Sequence, residues 1–238
     1  MSRYMLLAFS KPVKGREVEY HSWYNNIHMP EVLNVPGFAS AQRFKVEVPM
    51  VGEMPGHYLA LYQMEADNPE AVAAAKKALL TAEMQQSDAI DRSSGAFIGV
   101  FEQSGRGQTV PGAKAGTFRM VSIAQPYEGR EVEYDAWYKG RHIPEVLTLP
   151  GMVSGQRYTL HDALMPGIDS SSFALFEMEA NSVEVARETL KAMATANLAK
   201  CTSAIPERTR AAVLEAYTGR VMAPKNNTLA GIGAAEPG

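Results

Sequence analysis

The strongest constraint on how this chain can fold is that it states one stretch twice. Gly15–Arg43 (GREVEYHSWYNNIHMPEVLNVPGFASAQR) and Gly129–Arg157 (GREVEYDAWYKGRHIPEVLTLPGMVSGQR) align without a gap at a constant offset of 114, and 18 of 29 positions are identical. A repeat this long is a small domain rather than a solenoid unit. The 238 residues therefore read as two units of roughly 100 residues each. Two copies facing each other across a pseudo-two-fold axis would imitate a homodimer.

Within the first copy, Arg3–Ser10 is a short apolar run closed by Lys11-Pro12 and reads as a strand. Glu17–His28 reads as a helix, with Tyr20, Trp23, Tyr24 and Ile27 on one face and His28 and His21 at its edge. Pro30 is expected to break or re-aim it before a short turn, Glu31–Asn34, and Pro36-Gly37 to end it. Phe38–Val48 and His57–Ala66 read as strands. Asn68 and Pro69 read as the N-cap and first position of an alanine-rich helix, and Ala96–Glu102 as a fourth strand. The second copy repeats the order: strand Gly116–Ala124, helix Arg130–Arg141, strands Met152–Leu160 and Ser172–Ala180, helix Val183–Lys200 behind Ser182, and strand Arg210–Tyr217. Each copy is thus β-α-β-β-α-β, the split βαβ order of a ferredoxin-like unit with an antiparallel sheet and both helices on one face. The expected fold class is α+β: two such units packed sheet to sheet as an intrachain barrel. The boundaries are 1–104 and 116–220, a polar, glycine-rich linker at 105–115, and a mobile tail at 221–238.

The string W-Y-x-x-x-H-x-P-E-V-L-x-x-P-G, present as Trp23–Gly37 and Trp137–Gly151, resembles the EthD-like branch of the dimeric α+β barrel superfamily, here as two fused copies. That resemblance implies the fold. Its members include cofactor-independent isomerases and lyases, polyketide cyclases, small oxygenases, haem enzymes and proteins without assigned activity, so the fold does not fix the chemistry.

The resemblance places its motif histidine at His28 and His142. Imidazole suits proton transfer near neutral pH, and Tyr24 and Tyr138, one turn earlier, suit donors to an oxyanion. A structural role for both histidines, with the ring bonded to backbone, stays open beside the catalytic one. Trp23 and Trp137 join the aromatic face as core or ligand wall. Gln42 and Gln156 alternate with Arg43 and Arg157, so amide and guanidinium face opposite sides of the second strand of each copy. An inward Arg would anchor a carboxylate. The copies differ at His21/Asp135, Asn25/Lys139, Asn26/Gly140 and Ile27/Arg141. Lys139 and Arg141 add positive charge beside His142, so His28 is expected to be the more basic ring and the proton acceptor.

Composition removes several classes. A net charge of −3 with mixed signs leaves no basic stripe for nucleic acid, and the single cysteine leaves no disulfide or cysteine metal cluster. No His/Glu set has ligand spacing, no phosphate loop is present, and no segment has membrane-spanning length. The expectations are a cytoplasmic protein with no metal or other cofactor, a small-molecule substrate, and a homodimer of the fused barrel as an open option. The leading expectation of function is cofactor-independent proton-transfer chemistry (lyase, isomerase, dehydratase or cyclase) on a small aromatic or lactone-like compound. A monooxygenase or haem-linked oxidative enzyme and a non-catalytic small-molecule-binding protein are the alternatives.

Overall fold

A computed structural model describes residues 4–66, 68–93, 97–165 and 169–225. Strand β1 is Tyr4–Ser10, and helix α1 (Glu17–Trp23) runs through a π-helical turn (Tyr24–His28) into α2 (Met29–Asn34). Then come β2 (Phe38–Val51), β3 (Tyr58–Met64), α3 (Pro69–Thr81) and β4 (Phe97–Gln103). A two-residue β5 (Gln108–Thr109) lies between the halves. The second half has β6 (Phe118–Ala124), α4 (Glu131–Trp137), a second π turn (Tyr138–His142), α5 (Ile143–Leu147), β7 (Met152–Ala163) and β8 (Ser172–Met178). It ends with α6 (Val183–Thr195), β9 (Arg210–Ala216) and β10 (Val221–Met222).

The strands run β2-β3-β1-β4-β7-β8-β6-β9, all antiparallel, and β9 pairs back with β2. Eight strands therefore close into a barrel. The two halves are joined edge to edge along β4–β7 and β2–β9 and their inner faces meet inside, so the expected intrachain barrel is one continuous closed sheet. Both long strands reach across the seam: Val46–Val51 of β2 runs along β9, and Leu160–Ala163 of β7 along β4. Pro49 is tolerated in β2 because bulges on either side interrupt the ladder there.

Alternation sorts the strand side chains into two layers. Inside the barrel, Leu7, Phe9, Phe44, Leu59 and Phe101 from the first half meet Val121, Ile123, Phe173, Ala212 and Leu214 from the second. Outside it, each half packs its own helices over a separate core, with Tyr20, Tyr24, Leu33, Phe38 and Tyr62 in the first and Tyr134, Tyr138, Val146, Phe176 and Met178 in the second. Asn68 and Ser182 act as N-caps, their side chains accepting from the backbone of Ala71 at 2.8 Å and Val185 at 3.4 Å.

Two expectations are corrected. Pro30 does not break the helix. The turn before it widens instead, so that Met29 N–H reaches Tyr24 O five residues back, and the chain stays helical to Asn34. A proline ring clashes with the carbonyl four residues earlier in an α-helix, and one extra residue in the turn moves that carbonyl aside. Pro144 has the same effect, with Ile143 N–H on Tyr138 O. The second correction concerns the tail. Val221–Met222 pairs with Ala41 and Ser40 of β2, and Ala223 N–H donates to Ala39 O at 2.8 Å. Residues 226–238 lie outside the described residues. So do Arg3 and Ala96 of the expected first and fourth strands.

Candidate functional site

The π turns decide where the motif histidines go. Residues five apart lie about 140° from each other round an α-helix, but the widened turn brings them onto one face. His28 lies flat on Trp23, with centroids 4.7 Å apart and planes at 15°, and edge-on to Tyr24 at 5.0 Å. His142 repeats this on Trp137 at 4.6 Å and 17°, edge-on to Tyr138 at 4.9 Å. Each Nδ1 is buried without a hydrogen-bond partner. Burial pushes both rings down to about 4; the Arg43 charge adds to it at His28, and the Glu145 charge opposes it at His142. The expected difference in basicity is therefore corrected. Lys139 is tied to Asp135, and Arg141 to Glu145 at 2.9 Å, so neither cation is left to act on His142. A ring that stays neutral in a packed stack suits a scaffold better than a base.

The other candidates converge around the two arginines. Arg43 and Arg157 face the helix layer. Gln42 and Gln156 face the other side, where Gln42 lies near Met5, Phe44 and Leu61 and donates to Thr218 O at 3.1 Å. Gln156 accepts from Gln103 at 2.8 Å. Arg157 is 4% exposed and ion-paired with Asp135, whose carboxylate also accepts from Ser104 at 2.6 Å and pairs with Lys139.

Arg43 is 0% exposed, and among the described residues no carboxylate pairs with it. Its guanidinium lies 4.0 Å from the Tyr24 ring centroid, 5.1 Å from Tyr20, 5.3 Å from Tyr217 and 5.4 Å from Tyr58. It donates to Asn25 Oδ1 at 2.5 Å and, at 3.5 Å, to Nδ1 of His21. Its Nε–H is buried with no acceptor. Burying an ion costs several kcal/mol after relaxation. Cation–π contacts of about 0.5–2 kcal/mol each offset part of that, but no counter-ion is supplied.

His21 forms the outer wall. Its ring stacks on Tyr217 at 4.4 Å, and its Nε2 is 3.1 Å from the Tyr58 hydroxyl. Burial and then the Arg43 charge lower its pKa, so it is neutral at pH 7, with Nδ1 the acceptor facing Arg43. Tyr217 arrives on the turn after β9, pinned by its N–H on Arg43 O at 2.9 Å and by Arg43 N–H on Thr218 Oγ1 at 3.1 Å. Tyr58 and Tyr217 were not among the sequence candidates. Tyr58 had a signal, since Ser172 stands 114 residues on. Tyr217 had none before the barrel register placed it.

The remaining candidates pack in the helix layer. Trp23 Nε1 donates to Gln85 O at 2.9 Å, whereas Trp137 Nε1 is buried without a partner. Tyr138 shares a 2.7 Å bond with Ser122, and burial raises Tyr24 and Tyr138 so that both stay protonated. Haem does not fit the described histidines. Those in the helix layer lie against aromatic faces, and His57 is exposed. His161 lies in an open groove of about 400 Å³ that the Lys76–Asp162 ion pair shares with Val72, Ala73 and Leu80, so its ring faces charges where an axial ligand needs an enclosed pocket. No described helix is long and apolar enough to cross a membrane.

No family model matches the sequence, and no curated protein is similar to it. Among solved structures, the chain is similar to an anthrone oxidase-like protein over 96% of its own length and 98% of the other's, at a TM-score of 0.52 and 10% identity. A chlorite dismutase from Candidatus Nitrospira defluvii in complex with imidazole aligns over 89% of this chain and 90% of its own, at 0.48 and 10%. A candidate monooxygenase from Lactobacillus acidophilus NCFM aligns over 93% and 99%, at 0.45 and 11%. The leading expectation of lyase, isomerase, dehydratase or cyclase chemistry is corrected here, because the anthrone oxidase-like neighbour that shares the fold is named for oxidation. Sharing that architecture and strand closure, the chain has the dimeric α+β barrel fold, closed within a single polypeptide.

Proposed function

We propose that this protein is an oxidative enzyme acting on a small, electron-rich aromatic compound, at a site in its first half around Arg43. The EthD-like motif, the tandem fusion and the two-unit division belong to the same reading. The observation that carries it is the guanidinium of Arg43, buried among four tyrosines with no carboxylate of the described residues beside it. Such a group stabilises negative charge that develops on a bound ring oxygen, and the dry surroundings strengthen that effect. The name of the anthrone oxidase-like neighbour supplies the reaction class.

In that reaction the ring methylene opposite the carbonyl, conjugated to it through the two fused aryl rings, loses a proton to give a vinylogous enolate with its charge largely on the carbonyl oxygen. Neutral His21 accepts the proton at Nδ1, and Arg43 holds the enolate oxygen. Tyr58, bonded to Nε2, fixes the imidazole orientation. The carbanionic carbon then reduces dioxygen: one oxygen atom becomes the new carbonyl, the other leaves as water, and the substrate supplies all the electrons. The test is oxygen uptake with anthrone, with ¹⁸O₂ labelling of the product. One O₂ per anthrone and one labelled atom are expected, with at least a 100-fold loss of kcat/KM in Arg43→Met. No uptake above the uncatalysed rate, or an equal loss in Arg157→Met, would overturn the proposal.

A further inference from the structure

We infer that the ligand of the first half carries an anionic oxygen group, a carboxylate or an ionised phenol, in the role that the Asp135 side chain plays in the second half. This rests on the proposed function for the location of the site and not for the reaction performed there.

The two halves hold the same arginine in the same fold but complete it differently. In the second half the Asp135 carboxylate meets Arg157, Lys139 and the Ser104 hydroxyl, so the anion that Arg157 requires is built into the chain. Each of those groups is exchanged in the first half. Position 21 is His in place of Asp, and position 25 is Asn in place of Lys. The barrel register sets Ala216 opposite Phe44 and Gln103 opposite Tyr158, so Tyr217 stands where Ser104 stands. Tyr58 stands where Ser172 does.

The exchanges act together. They delete the internal carboxylate and the second cation, leaving one buried positive charge with no described carboxylate beside it, whereas the Nε–H of both arginines lacks an acceptor. They also replace two hydroxymethyl groups with phenol rings, Tyr58 and Tyr217, which meet edge to face at 5.4 Å beside His21. Tyr217 is 40% exposed, so this wall reaches solvent. A flat ring with one anionic oxygen group matches that combination: the oxygens satisfy Arg43 while the ring packs against the phenols. The second half, with its carboxylate bound in place, is the closed copy.

Calorimetric titration with 1-hydroxy-2-naphthoate and with 2-methoxynaphthalene, a neutral molecule of the same ring size, tests this on the full-length protein. The naphthoate is expected to bind at least tenfold more tightly. His21→Asp should copy the second half: its new carboxylate takes the guanidinium, the melting temperature holds or rises, and naphthoate affinity falls at least tenfold. Arg157→Lys should bind as wild type does. Equal affinity for the two probes in the wild-type protein overturns the inference, and this comparison needs no variant to fold. A folded His21→Asp protein that binds naphthoate normally overturns it as well. Oxygen uptake on the same samples separates the two ideas: naphthoate bound at Arg43 without any turnover of anthrone leaves the anion site standing and removes the oxidative reading.

Discussion

Protonating His28 or His142 places a cation between an indole face and the helix-layer core. A free imidazole titrates near 6.5, while both rings are held to about 4 in the fold. Between those values the unfolded chain binds more protons than the native one. Stability is therefore full above about pH 6.5 and falls as pH drops towards 4, by on the order of 3 kcal/mol per ring. The expected outcome is a steep loss in urea midpoint across that window, with about half the slope in His28→Gln or His142→Gln. Asp135 shifts in its ordinary acidic direction: burial works against its ionised form, but Lys139, Ser104 and Arg157 outweigh it and hold its pKa low. Asp135→Asn strands a buried Arg157. A buried ion pair that loses one partner costs about 3–5 kcal/mol, and the partial exposure of Asp135 argues for the lower end or below. Thermal melting should drop by several degrees, and His21→Asn, which removes no carboxylate, should lower it less. At this scale the sequence placed His28, Arg43 and the His21/Asp135 difference on the page. It did not show that Arg43 has no counter-ion among the described residues, because the residues that ring it come from positions 20 to 217 and only the closed barrel brings them together.

The elements were legible where local patterns decide them. Both N-caps, the order of strands and helices, and the antiparallel pairing follow from residues close in sequence. The π turns were not, because the same proline that ends a helix in most settings is accommodated here by one extra residue in the preceding turn. The far ends of β2 and β7 were missed for a related reason: Pro49 and the polar His161-Asp162 pair lie past the expected strand ends, and only the neighbouring half supplies the strand they pair with. The segment after Tyr217 looked structureless because two-residue strands have no periodicity to detect. Its pairing makes a prediction. A chain ending at Arg220 loses the β10 ladder and the Ala223 bond to Ala39 while keeping Tyr217. Two or three backbone bonds at about 1 kcal/mol each should lower the melting temperature by roughly 4–12 °C, at about 2–4 °C per kcal/mol for a chain of this size. A chain ending at Ala216 should also lose naphthoate binding, since Tyr217 and Thr218 go with it. An unchanged melting temperature in the first truncation would show that β10 adds nothing to the fold.

Across the whole molecule, neither half has a core of its own on the barrel side. Met5, Leu7, Phe9, Phe44, Leu59, Leu61, Phe97 and Phe101 are buried against Val121, Ile123, Phe173, Ala212 and Leu214, which arrive only with the second half. Exposing a buried side chain of this kind costs roughly 1.5–3 kcal/mol, so uncovering eight of them exceeds the few kcal/mol that a domain of about 100 residues has to spare. The seams add to this, because separation would leave β2 and β4 as open edges with unpaired backbone groups. The intact chain should therefore unfold in one cooperative step, with far-UV circular dichroism and tryptophan fluorescence changing together even though Trp23 and Trp137 report on opposite halves. Residues 1–104 expressed alone should not persist as a folded monomer. Their inner face and both edges match those of a second copy closely enough to rebuild the barrel as a homodimer, and sedimentation velocity would show a dimer that dissociates and unfolds together on dilution. A stable, folded monomer of 1–104 would mean that the inner core is not what joins the halves, and that the closed barrel is a packing of two domains already complete on their own.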